Sequence, residues 1–339
     1  MTDIAPTVVV TGGTAGVGRA SALAFARQGY RVAVIARGQQ GLDDTCAELE
    51  AIGVKALGIA ADVADADAVE QAAERIEDEL GPIAVWVNSA MATVFGPTGT
   101  LTAEEYKRVT EVTYLGSVNG TQSALRRMKP RDSGTIVQVG SALSYRAIPL
   151  QSAYCAAKFA IRGFTDSLRC ELIHDNSRVR LTMVQLPAHN TPQFDWSRNK
   201  MGRRAQPVPP IHTPEVAARA IVRAAREAPR ELWLGKASFQ AILGNMLMPG
   251  LLDRMMAEQA WDGQMTDEPV ADGRPDNLHE PVEELHATSG RFAAQAQESA
   301  LGLSSETVGK LAVGGLAIAA VAAVSLVAGV TAGLNRRLR

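Results

Sequence analysis

The sequence predicts an α/β fold in which helices cover both faces of a doubly wound parallel sheet. Short β-branched runs alternate with helical patterns over residues 7–234. These runs are almost continuously apolar, as expected of parallel strands that are covered on both faces. A glycine-rich turn also follows the first run directly. Alternation of this kind indicates right-handed βαβ units and one open sheet.

Seven runs are predicted as strands, and the segments between them as helices. The strand runs are TVVVTG, RVAVIA, VKALGIA, IAVWVN, GTIVQVG, RVRLTMVQL and ELWLG. Helical patterns include VGRASALAFARQ and DADAVEQAAERIEDEL. We assign residues 1–264 to a single domain, in which a Met-rich helical stretch after Gly235 caps the core or helps to form a homo-oligomer.

The composition excludes several classes of function. The chain of 339 residues has a formal net charge of −2, so no overall basic field favours nucleic acid as a partner. Its three cysteines, Cys46, Cys155 and Cys170, show neither metal-ligand spacing nor a disulfide pattern, and we predict no metal site. For Cys155, a buried structural thiol is favoured over a reactive one.

The first strand leads into a turn typical of dinucleotide sites. Gly12, Gly16 and Gly18 follow TVVVT and open the first helix. Such glycines let the backbone approach a pyrophosphate, and the helix N-terminus supplies amide donors to it. The alternative is a tight strand–helix turn without a ligand, but the strand and helix on either side favour a cofactor.

The end of the second strand predicts which cofactor binds. An acidic residue there would accept the ribose hydroxyls of NAD, but the strand ends in Ala36 and Arg37. A guanidinium can pair with a 2′-phosphate, and Arg19 could assist. We therefore expect NADP(H) to be favoured over NAD(H). The alternative is that both arginines are solvated surface charges.

A tyrosine and a lysine lie four positions apart in the run SAYCAAKFA. On a helix this spacing places the side chains of Tyr154 and Lys158 on one face. The pair occurs often by chance, and a ring packed on a lysine stem is the simplest interpretation. Taken alone, the spacing does not establish a catalytic role.

Together these motifs resemble the short-chain dehydrogenase/reductase family over residues 7–234. The resemblance rests on TGGTAGVG, ADV, VNSA, VGSALS and YCAAK, and on the separation of 13 positions between Ser141 and Tyr154. It implies a Rossmann-type sheet in a single catalytic domain. It also implies that Tyr154 is the general acid or base, that Lys158 lowers the Tyr154 pKa and binds the nicotinamide ribose, and that Ser141 contacts the substrate oxygen.

The resemblance also implies a set of cofactor contacts. Asp62 and Val63 are expected at the adenine, Asn88 at the adenosine ribose, and Thr191 at the nicotinamide carboxamide. The candidate cofactor-binding residues are Gly12, Thr14, Gly16, Val17, Gly18, Arg37, Asp62, Val63, Asn88, Tyr154, Lys158 and Thr191.

The chain departs from the family pattern at three positions. Met91 replaces a glycine after the fourth strand, and Ala188 replaces a glycine after the sixth. Thr113 stands where the family often has an active-site asparagine, whose backbone carbonyl helps to hold a relay water. We count Thr113 among the candidate catalytic residues because a threonine keeps that carbonyl.

Residues 187–210 are expected to form a lid over the substrate, because substrate loops in such sheets lie at the carboxyl ends of the strands. The segment carries Phe194, Trp196 and the basic cluster RNKMGRR. The cluster is more simply a solvated face than a binding site. His189 is either a polar contact to the substrate or a packed or solvent-facing histidine.

The C-terminal part is predicted to hold the protein at a membrane. We assign residues 265–307 to a flexible acidic linker, 308–335 to a transmembrane helix and 336–339 to a basic tail. Residues 311–334 carry no charge and would extend about 36 Å as a helix, enough for a hydrocarbon core of about 30 Å. The alternative is a soluble helix that is buried between subunits.

These features predict an NADP(H)-dependent oxidoreductase that acts on a small-molecule carbonyl or secondary alcohol. A membrane-held enzyme would suit an apolar substrate. We expect a single C-terminal anchor with the catalytic domain in the cytoplasm, although Arg336, Arg337 and Arg339 would favour the cytoplasm for the tail itself. The alternative is a membrane-anchored cofactor-binding scaffold or sensor with little turnover.

Overall fold

The predicted strands form one central sheet in the computed structural model, which describes residues 5–271 and 273–311. The strands are β1 Thr7–Thr11, β2 Arg31–Ala36, β3 Ala56–Ala60, β4 Ile83–Asn88, β5 Val94–Phe95, β6 Thr135–Val139, β7 Arg180–Gln185, β8 Ala188–His189, β9 Arg198–Asn199, β10 Arg203–Ala205, β11 Ile211–His212, β12 Glu231–Leu234, β13 Met265–Pro269, β14 Ala296–Gln297 and β15 Gly302–Ser304.

Eight of these strands make the main sheet, in the order β15-β12-β7-β6-β4-β1-β2-β3. Neighbouring strands from β12 to β3 are parallel, and β15 joins the edge antiparallel to β12. The direction of winding reverses between β1 and β4. In such sheets ligands bind at this point, beyond the carboxyl ends of the strands. The predicted doubly wound fold is confirmed.

Helices connect the strands and cover both faces of the sheet. The helices are α1 Gly16–Ala26, α2 Gln39–Ala51, α3 Ala66–Leu80, α4 Ala103–Val109, α5 Gly116–Arg131, α6 Ser152–His174, α7 Gln193–Trp196, α8 Pro214–Glu227, α9 Gly235–Leu247 and α10 Pro249–Met255. A π-helical stretch, Thr110–Leu115, joins α4 to α5.

The alternation of side chains along each strand divides the core into two layers. On β1, Val8 and Val10 pack with residues of α1, α2 and α8 on one face of the sheet. Val9 points to the other face and packs with residues of α3, α5 and α6. All three valines are fully buried. This two-sided burial is why the strand runs are mostly apolar.

The segment predicted to be a flexible linker, residues 265–307, is packed against the domain where the structure describes it. β13 pairs with β10, β14 pairs with β11, and β15 extends the main sheet. Leu278 and Phe292 are buried. The polar composition was misleading, because some of the charged groups pair with the domain, Asp276 with Arg198 and Glu268 with Arg204.

The predicted transmembrane helix, residues 308–335, lies almost entirely outside the described residues, as does the basic tail. Within residues 5–271 and 273–311, no helix is long and apolar enough to cross a membrane. The Met-rich helices α9 and α10 and the residue between them leave several large apolar side chains exposed, among them Met246, Leu247, Met248 and Leu251.

Candidate active site

The glycine-rich turn takes a conformation that requires its glycines. Gly12 and Gly16 have φ values of +66° and +53°, in the left-handed region that side chains disfavour. A Cβ atom on Gly18 would lie 2.1 Å from the carbonyl oxygen of Gly12. The first turn of α1 therefore packs directly on the end of β1. The first amide of α1, that of Gly16, donates a 2.9 Å hydrogen bond to the carbonyl of Ala287.

One cavity of about 710 Å³ runs from this turn to the predicted catalytic residues. Most of the residues predicted from the sequence line it: Gly12, Thr14, Gly16, Val17, Gly18, Arg37, Asp62, Val63, Ser141, Tyr154, Lys158 and Thr191. A cavity of this size and shape suits an extended organic ligand. Among residues 5–271 and 273–311, no cluster of side chains has the composition of a metal site.

Tyr154 and Lys158 lie on the first two turns of α6, with Ser141 at the end of β6. Lys158 is 3% exposed, and its ammonium donates a 2.7 Å hydrogen bond to the carbonyl of Val139. Its Nζ lies 5.5 Å from the centre of the Tyr154 ring. The helix spacing and the end of the neighbouring strand thus bring all three side chains to one wall of the cavity.

Burial controls the titration of this pair. It raises the pKa of the Tyr154 phenol, with a smaller contribution from Cys155, while a hydrogen bond with Ser141 lowers it. Burial also lowers the pKa of Lys158 to about 8. The expectation that Lys158 holds the Tyr154 pKa down is therefore not met by the chain alone, because removal of the phenol from water is the largest influence on its pKa.

Cys155, beside Tyr154, is a buried structural thiol. It is 2% exposed, and burial raises its pKa to about 11. A thiol with a raised pKa is a poor nucleophile at neutral pH. This agrees with the interpretation that the sequence favoured.

A buried network that the sequence did not indicate supports Ser141. The Ser141 backbone N–H donates to Oε1 of Gln185 at 3.0 Å, and Nε2 of Gln185 donates to the carboxylate of Glu231 at 3.1 Å. That carboxylate also accepts hydrogen bonds from the Tyr145 hydroxyl and the Trp233 indole, each at 2.8 Å. An isolated glutamate at the start of the run ELWL was the available signal.

Thr113 lies away from the cavity, in the π-helical stretch. Its hydroxyl donates to the Ala92 carbonyl and accepts from the Ala92 N–H, both at 3.0 Å. Its own carbonyl accepts a 2.9 Å hydrogen bond from Ser117. Thr113 is fully buried, and its hydroxyl joins the loop after β4 to the π-helical stretch. The hydroxyl therefore has a structural role, and the relay role that the sequence predicts for the Thr113 carbonyl stays a prediction.

Asn88 also differs from its predicted position at the adenosine ribose. Its side chain is buried in the core, where it accepts from the Trp86 indole at 2.8 Å. Its amide donates to Thr121 at 3.0 Å and to Gln138 at 3.1 Å. These three contacts use the side chain to join β4 to α5 and β6. They place it behind the cavity rather than on its wall.

Arg37 and Arg19 contact the C-terminal part of the chain. Arg37 donates to the backbone carbonyls of Asn277, Leu278 and His279 at 2.5, 3.4 and 2.7 Å. Burial lowers the Arg37 pKa. Arg19 donates to the carbonyl of His286 at 3.0 Å and pairs with Glu48. Neither arginine is the solvated surface charge that the sequence left open as an alternative.

Many of the side chains that line the end of the cavity beyond Ser141 and Tyr154 are apolar. The predicted lid contributes Phe194 to this end, and the helices after β12 contribute Leu252, Met255 and Met256. Trp196, also in the lid, lies elsewhere on the cavity wall, with its ring 6.1 Å from that of His286. His189 also lines the cavity, and its Nδ1–H donates a 2.9 Å hydrogen bond to the Pro187 carbonyl. Burial lowers the His189 pKa to about 4, so this imidazole is neutral at physiological pH.

Comparison with known proteins agrees with this geometry. A family model described as short chain dehydrogenase matches residues 6–201. The chain is 30% identical over 264 residues to an uncharacterized oxidoreductase of Bacillus subtilis strain 168, YxnA, covering 77% of this chain and 74% of that protein.

Two solved structures with bound cofactors are similar. An alcohol dehydrogenase from the archaeon Thermococcus sibiricus, complexed with 5-hydroxy-NADP, is 27% identical with a TM-score of 0.57, covering 67% of this chain and 95% of that one. A variant of actinorhodin polyketide ketoreductase with NADPH is 31% identical with a TM-score of 0.53, covering 56% and 72%. The chain therefore belongs to the short-chain dehydrogenase/reductase family of oxidoreductases.

Proposed function

We propose that this enzyme transfers hydride between NADP(H) and an apolar carbonyl compound or secondary alcohol, with Tyr154 as the general acid or base. The observation that carries the proposal is that one cavity joins the glycine-rich turn to Ser141, Tyr154 and Lys158. A bound nicotinamide supplies or accepts the hydride, which is chemistry that no side chain of the chain provides.

Tyr154, Ser141 and Lys158 each have a separate role in the proposed reaction. Tyr154 gives its hydroxyl proton to the carbonyl oxygen in reduction and takes it back in oxidation. Ser141 donates a hydrogen bond to the same oxygen. An ammonium has three donors, and Lys158 uses one on Val139, so two remain for the ribose hydroxyls and the Tyr154 oxygen. The positive charge near Tyr154 stabilises its phenolate in the oxidation direction.

The preference for NADP(H) is supported by the end of β2. Ala36 leaves no carboxylate there to accept ribose hydroxyls, and the Arg37 guanidinium lies at the same end of the cavity. The cofactors of the two solved relatives, 5-hydroxy-NADP and NADPH, are of the phosphorylated kind. Arg37 must exchange its backbone carbonyl partners for the phosphate when NADP(H) binds.

The substrate is proposed to be apolar because of the side chains around it. Leu252, Met255 and Met256 line the cavity beyond the catalytic residues, together with Ile148 and Phe194. Arg146 and Gln151 provide polar groups at the same end. Methionine side chains adapt to differently shaped ligands, so several related substrates could fit.

NADPH oxidation in the presence of apolar ketones and aldehydes tests the proposal. We expect oxidation that depends on the carbonyl compound and saturates with its concentration. Binding of NADPH without any turnover across a broad panel would contradict the enzyme assignment and support a cofactor-binding scaffold.

Anchoring in the membrane by residues 308–335 is a proposal that rests on the sequence. The uncharged length of residues 311–334 supports it, with the catalytic domain in the cytoplasm. Fractionation of the full chain and of a version ending at Ser305 is the test. A full-length protein that stays in the soluble fraction without detergent would contradict the anchor.

A further inference from the structure

The segment of residues 277–287, here called the strap, lies across the adenosine end of the cavity. Its backbone is held at both ends. Asn277 donates to the Trp196 carbonyl at 2.9 Å, and Ala287 accepts from the Gly16 N–H at 2.9 Å. Between these points, Arg37, Arg108 and Arg19 donate to strap carbonyls. The strap is therefore fixed to the start of α1, to the residue after β2 and to α4.

The strap forms a wall of the cofactor site. Its residues Asn277, Pro281, Val282 and His286 line the same cavity as Asp62 and Val63. Leu278 is fully buried in the apolar cluster that contains Val63 and Val112. The cavity thus continues beneath the strap, which lies more than 200 positions after Asp62 and Val63 in the sequence.

One side chain of the strap bears directly on the position next to Arg37. The Glu283 carboxylate accepts a hydrogen bond from the Gln40 N–H at 3.2 Å. Both of its oxygens lie 3.0 Å from the position that a Cβ atom on Gly38 would take. Gly38 and Gln40 begin α2 directly after β2, where a dinucleotide presents its ribose 2′ position. The start of a helix also favours an anion.

We infer that Glu283 is a specificity-determining residue that opposes the 2′-phosphate of NADP(H). Its carboxylate takes the anion position at the start of α2 that this phosphate would use. An unphosphorylated ribose can instead donate its 2′-hydroxyl to Glu283, as it does to a carboxylate at the end of β2 in NAD sites. The strap would then supply a carboxylate that Ala36 does not.

This inference rests on the proposed function and qualifies its cofactor preference. Arg37 attracts the phosphate, whereas Glu283 repels it, and the three strap carbonyls compete with it for the Arg37 guanidinium. The preference of the wild-type chain for NADP(H) is therefore the difference between opposing effects. Removal of the Glu283 charge should increase that preference.

The test measures binding of two fragments that undergo no reaction, 2′,5′-ADP and 5′-AMP, by calorimetry. We compare the wild-type chain with Glu283→Gln. The matched control is Glu284→Gln, which removes the same charge from the next residue, exposed like Glu283. Thermal unfolding of the three proteins shows whether each is folded.

For Glu283→Gln, we expect 2′,5′-ADP to bind about tenfold more tightly, because two nearby like charges no longer repel each other. Binding of 5′-AMP should not tighten, and Glu284→Gln should bind both fragments as the wild type does. The inference would be overturned if the ratio of the 2′,5′-ADP and 5′-AMP affinities were equal in all three proteins. It would also be overturned if this ratio changed equally in both variants. Absence of any nucleotide binding to the wild type would instead overturn the proposed function.

Discussion

Lys158 shows how burial of a single charge sets the chemistry of the site. Its ammonium is held by the Val139 carbonyl and has almost no contact with water. The cost of that burial appears in its pKa, which is lowered from 10.5 to about 8. Lys158 therefore remains mostly charged near neutral pH but loses its proton far more readily than an exposed lysine.

The stability of the protein should reflect this titration. Between about pH 8 and pH 10.5 the unfolded chain binds the Lys158 proton more tightly than the folded one, so stability at this site rises with pH. Relative to Lys158→Met, we expect the free energy of unfolding of the wild type to rise by about 2–3 kcal/mol over that interval. Urea unfolding of both proteins at several pH values measures it, and a constant difference would contradict it.

Thr113 is expected to be a structural residue. Thr113→Val keeps the shape of the side chain but leaves the buried N–H and carbonyl of Ala92 without their partner. Unmet hydrogen-bonding groups of this kind cost about 1–3 kcal/mol of stability each. Urea unfolding measures the loss, and Thr113→Ser, which keeps the hydroxyl, is the control. An unchanged free energy of unfolding in Thr113→Val would rule out this role.

At the scale of elements, the strap changes the role of the arginine at the end of β2. The Arg37 guanidinium holds three successive carbonyls of the strap, so it fastens this segment even before it meets a cofactor. Segments held mainly by partly exposed hydrogen bonds open more easily than the core. If NADP(H) binds as proposed, the contacts of Arg37 would couple opening of the strap to occupancy of the phosphate position.

Arg37→Ala should therefore loosen the strap as well as weaken NADPH binding. We expect faster amide hydrogen exchange in residues 277–287 and a smaller preference for NADPH over NADH. Exchange measured by mass spectrometry gives the first result, and binding constants for the two cofactors give the second. Arg75→Ala, which removes an exposed arginine on α3, is the control. Unchanged exchange of the strap would show that Arg37 does not hold it.

For the molecule as a whole, the sheet and the catalytic wall were predictable from local patterns. Runs such as TVVVT and IAVWVN are apolar because both faces of the sheet are covered, and the structure places them as parallel neighbours. Tyr154 and Lys158 could be paired from helix periodicity alone. Ser141 lies near this pair because β6 ends beside the start of α6. This proximity was predicted from the family motifs.

The strap could not be predicted in the same way. Residues 277–287 are mostly polar and charged, and their composition is typical of a linker. Most of the hydrogen bonds that hold them are accepted by backbone carbonyls. Every residue type carries a backbone carbonyl, so the sequence does not indicate these contacts. Asn88 shows a related limit. Its motif was recognised, but which way the amide turns depends on Thr121 and Gln138, far along the chain.

The central claim is that Tyr154 moves the proton in an enzyme whose cofactor is held elsewhere in the same cavity. Parallel measurement of turnover and NADPH binding in Tyr154→Phe tests it most directly. Phenylalanine keeps the ring and removes only the hydroxyl, so we predict turnover lower by about 10²–10⁴-fold with a cofactor dissociation constant close to that of the wild type. Turnover near the wild-type rate in this variant would contradict the account.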